Sequence, residues 1–323
     1  MSSRQTDPEN PLAALGLFGR LGHALAGLMI LPVAWLPARV HLWLGGILGR
    51  LAFRLLKRRR VIAVANIERC QEAGFLPASL DAVSTARESF VGVARTILES
   101  LAFYRRGMGY FKGRYGFVGE DRLQEALKGL KKGGPGLILL TAHIGCWELA
   151  PQAIRERFGI RIVIVGRSQG GPLTNALIAE SRTKTGNGYI FKANTARVML
   201  QTLRDGGIIG TLFDQAAIVE SEGALLPFMG RPAHTNLGPE RLAAKTGSTL
   251  LPVFAIRDGA RHSIEFGEPI PAPPGAGRDW AANAALTLND TLGERILKDP
   301  GQWMWGHRRW KTPEGIKEDP LSY

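Results

Sequence analysis

Cysteine is almost absent from this chain. Two thiols in 323 residues, Cys70 and Cys146, lie too far apart to suggest a disulfide framework or a zinc set. A reducing cytoplasm fits them without being required. Long apolar runs are missing too: the longest uninterrupted one near the start, Ala24 to Leu36, falls short of the roughly 20 residues of a clean membrane span. Nor does it make a tidy signal peptide. There is no internal repeat, no low-complexity block and nothing that reads as disordered over a long range, so 323 residues supply one large domain or two small ones. Acid is scarce, with 28 carboxylates against 41 basic side chains and a pI near 10.2. That excess calls for an anionic partner: nucleic acid, a phospholipid surface or an acidic carrier protein. A recognisable nucleic-acid motif is also lacking, which weakens the first of these.

What is present begins with a polar stretch, Met1 to Asn10, followed by apolar sequence from Pro11 to Pro37 that Arg20 and His23 interrupt. Arg20 is able to snorkel toward headgroups, and Trp35 suits an interface. A second apolar stretch, Val40 to Leu56, carries Arg50 and Arg54 and ends in Lys57-Arg58-Arg59-Arg60, a cluster suited to the cytoplasmic surface of a membrane. Residues 1–60 are therefore expected to be a membrane anchor with its basic flank, either one span or a span plus an interfacial helix. A pair of buried helices in a soluble protein is the plainer alternative.

Residues 61–323 form the expected second unit. Val61 to Arg106 is helical in pattern, with breaks at Gly74 to Pro77 and a new start near Ser79 or Ser84. A short strand and an amphipathic helix fill Phe117 to Lys132. Buried strands follow at Leu137–Leu140, Ile160–Val165, Tyr189–Phe191, Ile208–Phe213, Thr249–Ile256 and His262–Phe266. Helices run at Pro172–Lys184, Thr195–Arg204 and Asn283–Leu297. This alternation indicates an α/β fold with a mostly parallel central sheet flanked by helices.

The stretch that carries chemistry is L-I-L-L-T-A-H-I-G-C-W-E, Leu137 to Glu148. A buried strand stops at His143, Gly145 allows a sharp turn, and a helix opens toward Arg157. Crevices at the carboxyl ends of strands are where ligands collect in open α/β sheets. His143 is placed to act as a general base on a hydroxyl attacking a thioester carbonyl, with Glu148 orienting the imidazole and no covalent enzyme intermediate. Amides at the start of the following helix are candidates to face the oxyanion. Spacing alone is weak evidence: with six histidines and 28 acids, some histidine has a carboxylate five places on by chance about half the time. A structural histidine bonded to a helical glutamate is the competing reading.

A rival motif follows. Gly166-Arg167-Ser168-Gln169-Gly170 matches the G-x-S-x-G nucleophile elbow between a strand and a helix, and Asp214 then His262 or His307 come later in the order a serine hydrolase needs. Against it, no HGGG-type oxyanion loop precedes the motif, and it leaves His143 and Glu148 without a role.

Nearly the whole chain resembles the bacterial lipid A biosynthesis acyltransferases, relatives of the mycobacterial mannoside acyltransferases and, more distantly, of the glycerolipid acyltransferases. An apolar N-terminus leads to Arg58-Arg59-Arg60 and Asn66-Ile67-Glu68-Arg69-Cys70; His143 and Glu148 fall on an H-x-x-x-x-D/E signature. Arg167, Arg182 and Gly186, the Asp214-Gln215 pair, Pro227 to Ala233, and the closing Gln302-Trp303-Met304-Trp305-Gly306-His307-Arg308-Arg309-Trp310-Lys311 match the blocks that follow. Ser168 stands where such proteins usually carry proline, Gly171 where they often carry asparagine, and Gly301 where glutamate is usual.

The resemblance implies His143 and Glu148 as the catalytic pair and acyl carrier protein as the thioester cosubstrate. It implies no tightly bound cofactor, no metal and no nucleic acid. The acceptor would be a hydroxyl of a Kdo-modified lipid A precursor or another glycolipid, and the catalytic domain would lie on the cytoplasmic side of the inner membrane. Substrate contacts are expected from Arg167, Asp214, Gln215, Arg231, His307, Arg308 and Arg309, since guanidinium binds phosphates and carboxylates bidentately. Surface solvation is the plainer reading for the arginines. For Asp214 it is a loop-holding role, for Trp303, Trp305 and Trp310 a place in the core, and for Cys146 a small buried side chain.

Overall fold

A computed structural model of the chain describes residues 17–130, 134–168, 171–191, 195–216 and 223–311. The polar stretch 1–10, the Arg20 side chain and the second half of the elbow motif, Gln169 and Gly170, lie outside the described residues.

Two helices open it, α1 (Leu17–Ala34) and α2 (Ala38–Leu55). Between them stands Leu36-Pro37, where the proline ring pushes its predecessor out of helical geometry. The chain turns there by 108° between Leu25–Ala34 and α2. No single described helix is long and apolar enough to cross a membrane, although the bent pair passes that test together. Glycine explains how α2 lies: a Cβ on Gly49 would sit 2.4 Å from the Val91 Cα, and one on Gly45 2.6 Å from the Arg95 Cγ. Bare backbone thus lets α2 press against α4 (Ala82–Arg106). Between them in sequence, α3 (Lys57–Glu72) includes the basic run in its first turn. The cap of α4 is Asp81 rather than a serine, its carboxylate accepting from the amides of Val83 and Ser84.

The remaining elements alternate as expected: β1 (Tyr115–Val118), α5 (Glu120–Lys128), β2 (Leu137–Thr141), α6 (Leu149–Phe158), β3 (Ile162–Val165), α7 (Pro172–Thr183), β4 (Gly188–Ile190), α8 (Thr195–Arg204) and β5 (Ile208–Leu212). A hairpin, β6 (Gly223–Phe228) and β7 (Arg231–Asn236), and a short helix, α9 (Gly238–Thr246), come next. Neither is evident in the sequence pattern. The chain then forms β8 (Thr249–Asp258), β9 (Arg261–Phe266), β10 (Ile270–Pro271) and α10 (Arg278–Lys298).

One sheet runs in the order β1-β9-β8-β2-β5-β3-β4, with β10 on β8. The pairs β1/β9, β8/β2, β2/β5, β5/β3 and β3/β4 are parallel; β8 meets β9 and β10 antiparallel. β2 lies at its centre, which is why L-I-L-L is apolar on both faces: Ile138 and Leu140 enter one buried cluster, Leu137 and Leu139 the other. His143 is thereby carried to the carboxyl end of the middle strand.

Candidate active site

Past β2, the chain makes a tight turn in which Gly145 takes φ +58°, and a Cβ there would meet the Ala255 carbonyl oxygen at 2.1 Å. Glycine is obligatory at that position. The turn is stitched on three sides: the Gly145 amide donates to Gln302 O (3.1 Å), the Cys146 amide to Ala255 O (2.7 Å), and the Met304 amide to His143 O (3.0 Å).

His143 Nδ1 lies 2.9 Å from Asp214 Oδ1, and its own backbone amide donates to Asp214 Oδ2 at 3.0 Å. Trp303 Nε1 donates to the same Oδ2 at 3.0 Å. Asp214, at the end of β5, is buried, yet the charge and hydrogen bonds of His143 overcome the burial penalty and hold its carboxyl well below the usual range. Burial likewise opposes charge on His143, but Asp214, with a further contribution from Glu148, raises the imidazole above its ordinary value. With Nδ1 held by the carboxylate, Nε2 is the nitrogen left for a proton from outside.

Glu148 was expected in the place Asp214 occupies. Its carboxylate instead accepts from Arg182, Nε at 3.0 Å and Nη2 at 2.5 Å, and from Trp147 Nε1 at 3.2 Å. The turn explains the difference: Glu148 stands at the N-cap position of α6 with its carboxylate turned to Arg182 on α7, while the parallel β2/β5 pair brings Asp214 alongside His143. Arg182 and Trp147 are thus parts of the site that the sequence reading did not single out, although Arg182 lay in a recognised block.

The remaining expected contacts divide. Arg167 and Gln215 line a cleft of about 740 Å³ that also contains His143, Ser168, Asn236 and Arg241. Its apolar wall includes Val165, Phe191, Met199, Leu212, Phe213 and Leu242. His307 packs behind the pair, Nε2 3.8 Å from Asp214 Oδ2 and its ring 6.3 Å from that of His143. Burial and the nearby charges of His143 and Arg309 push its pKa down to about 4, Asp214 opposing, so it is neutral.

Arg309 is fully buried and cannot reach a substrate. Its guanidinium donates to His234 O, Thr235 Oγ1 and Asn289 Oδ1 and lies over the Phe228 ring. Arg231 stacks on Trp310 at 4.7 Å, outside the residues that line the cleft. Arg308 is exposed and does not line it either. Trp303, Trp305 and Trp310 are core, each 0% exposed. The closing block is held by α3, where Asn66 Nδ2 donates to Trp305 O and His307 O and Arg59 to Gly306 O.

The elbow does not assemble. Ser168 Oγ accepts from Asn175 Nδ2 at 2.8 Å; Asp214 belongs to His143, and His262 is buried against Glu99. No described histidine or lysine is hydrogen-bonded to this hydroxyl. Cys146 is buried and its thiol pushed well above its ordinary value, chiefly by burial. Glu99, Cys146 and His262 bring one possible metal-ligand atom each within 4.8 Å of one another, but Arg257 already supplies the cation beside Glu99, with Nη2 2.5 Å from Oε2.

A carboxylate-held histidine in a cleft at the carboxyl end of a mostly parallel sheet is an arrangement chemically able to take a proton from a bound hydroxyl. Comparison with known proteins makes this specific. The chain belongs to the bacterial lipid A biosynthesis acyltransferase family, whose model matches residues 20–312, and is an acyltransferase. It is 27% identical over 291 residues to the lipid A biosynthesis lauroyltransferase of Escherichia coli (strain K12), covering 88% of this chain and 90% of that one. It is 24% identical over 196 residues to the phosphatidylinositol mannoside acyltransferase of Mycobacterium tuberculosis (strain CDC 1551 / Oshkosh), 59% of this chain and 58% of that one. Among solved structures, the 1-acyl-sn-glycerophosphate acyltransferase PlsC from Thermotoga maritima aligns at a TM-score of 0.36 with 12% identity, over 79% of this chain and 97% of that one.

Proposed function

We propose that this acyltransferase moves a fatty acyl chain from acyl carrier protein to a hydroxyl of a lipid A-type glycolipid at the cytoplasmic face of the inner membrane. The observation that carries the reading is the His143–Asp214 pair, with Nδ1 occupied and the ring opening onto a cleft with both arginine and apolar walls. His143 Nε2 takes the hydroxyl proton as the oxygen attacks the thioester carbonyl. A C–O bond forms, the tetrahedral intermediate collapses, the C–S bond breaks, and the imidazolium returns the proton to the departing thiolate. Asp214 stabilises the imidazolium through both steps.

The amides of Ile144, Gly145 and Cys146 are bonded within the fold, so the developing oxyanion falls to donors on the cleft wall, where Gln215 and Arg167 stand. Glu148 acts through Arg182 and Trp147, and its charge adds to that of Asp214 in favouring the imidazolium. The acyl chain lies along Phe191, Met199, Leu212, Phe213 and Leu242. Arg167 and Arg241 meet the anionic groups of the substrates.

Attachment rests on α1, α2 and the link between them, with Trp35 exposed in the link and Trp43, Ile47, Leu51 and Leu55 exposed on α2, continued by Arg50, Arg54 and the basic first turn of α3. An apolar face with basic edges suits an anionic bilayer, each basic residue near it contributing about 1 kcal/mol.

The test is acyl transfer by purified wild type and His143→Ala, with acyl carrier protein thioesters and a Kdo-modified lipid A precursor, read by mass spectrometry. Wild type should acylate the precursor and the folded mutant should lose about 10²–10⁴-fold. Transfer to a mannoside lipid but not to the precursor would reassign the acceptor. Ester hydrolysis that survives His143→Ala and dies with Ser168→Ala would overturn the mechanism.

A further inference from the structure

Behind the His143 turn, between α4 and the strands β8 and β9, lies a buried polar cluster that the reaction above does not use. Glu99 and His262 are closed off from solvent and Arg257 is nearly so. His262 Nε2 lies 3.0 Å from Glu99 Oε1, Arg257 Nη2 donates to Glu99 Oε2 at 2.5 Å, and the same Nη2 donates to Thr96 Oγ1 at 2.9 Å. Thr96 Oγ1 in turn donates to the carbonyl of Gly145 at 2.7 Å. A hydroxyl has one proton. Gly145 O can only accept, so the hydroxyl hydrogen is directed at it, and the Arg257 guanidinium, by occupying a lone pair of Oγ1, favours the rotamer in which that hydrogen faces the carbonyl.

That carbonyl belongs to the turn that carries His143. On its other side the turn pairs with the closing block through the Ile144–Trp303 bridge, and α4 grips that block too, Ser89 Oγ donating to Trp303 O and accepting from the Trp305 amide. Ser89, Thr96 and Glu99 are spaced seven and three residues apart, on one face of α4. The two segments that supply donors to Asp214, one through the His143 amide and one through the Trp303 indole, thus both have their backbone held from a single helix face.

We propose that Thr96, oriented by Arg257 and Glu99, is a positioning residue for the general base, clamping the Gly145 carbonyl so that His143 keeps its register with Asp214. The proposal rests on His143 being the base. A shift of the order of 1 Å in a reacting group costs about a hundredfold in rate. Thr96→Val keeps shape and removes the bond; Thr96→Ser keeps the bond and removes a methyl.

Steady-state kinetics with the thioester and the glycolipid, corrected for folded fraction by circular dichroism, should show kcat of Thr96→Val lowered about 10- to 100-fold with both KM values unchanged. Its acid limb should lie at lower pH than in wild type, and Thr96→Ser should recover kcat to within a few fold. A wild-type kcat in Thr96→Val, a loss that only tracks unfolded protein, or Thr96→Ser as impaired as Thr96→Val would each overturn the assignment. Should wild type transfer no acyl group, the proposed reaction fails on its own. NMR titration of His143 then decides the positioning: a lowered pKa in Thr96→Val but not in Thr96→Ser supports it, and an unchanged one sinks it.

Discussion

At the scale of single residues, Asp214 holds the imidazole that spacing had assigned to Glu148, and Glu148 pairs with Arg182. Asp214→Asn replaces a carboxylate that stabilises the imidazolium with a neutral amide, and should lower kcat by about 10²-fold or more. Glu148→Gln leaves the Asp214 bonds intact and loosens Arg182, and should cost about tenfold. Equal losses would show that the two carboxylates act as one unit. The pH profile separates them as well. A general base works when neutral, so with His143 in the proposed role kcat/KM should rise with pH as it loses its proton, and the raised pKa should put that limb above the ordinary 6.5. Asp214→Asn should move it to lower pH.

Glu240, near the start of α9, carries a different sign. Its carboxyl is buried with Oε2 unpartnered, and burial pushes its pKa up to about 8. Between its ordinary 4.5 and that value the folded state holds a proton the unfolded chain has released, so this residue makes stability fall as pH rises. Glu240→Gln should raise the melting temperature clearly at pH 9 and little at pH 5. A gain that does not depend on pH would show that the carboxyl is not the cause.

Among the elements, α2 has two contrasting faces. Its glycine side is closed on α4, and its outer side exposes Trp43, Ile47 and Leu51. Trp43→Glu with Leu51→Glu should leave the fold intact, because neither side chain is in the core, and should shift the protein from vesicle-bound to free in a flotation assay. Retained binding would move the membrane contact elsewhere. In the cleft, Met199 on α8 stands on the apolar wall. Met199→Trp should shift acyl preference toward shorter thioesters, visible in competition between two chain lengths.

For the whole molecule, α3 and the closing tryptophan block are one structural unit. Asn66 on α3 donates to the carbonyls of Trp305 and His307, 239 and 241 residues away. Asn66→Ala leaves buried carbonyls without that donor and should cost about 1–3 kcal/mol, measured by denaturant unfolding. A smaller cost would mean that tryptophan packing alone holds the closing block.

The order of strands and helices from β2 to β5 was legible in the sequence, because apolar runs of four to six residues and glycine or proline breaks are local signals. So was His143 at the end of a strand, along with the α/β class. The β6–β7 hairpin and α9 were not, since Pro227, Gly230 and Pro232 mask the alternation of a strand. The break at Leu36-Pro37 separates two apolar stretches in the sequence, but the 108° angle between their helices is not a local signal.

By itself the sequence determined which residues are chemically able to act and where the central strand stops. Only the tertiary structure decided which carboxylate meets the histidine. Glu148 is five residues from His143 and Asp214 is 71, yet the turn at Gly145 sends the near one toward Arg182, and the pairing of β2 with β5 brings the distant one to 2.9 Å. The same holds for Arg309, Trp303 and Thr96. Their types suggest little, and their places come from packing between segments far apart in the chain, which no local spacing records.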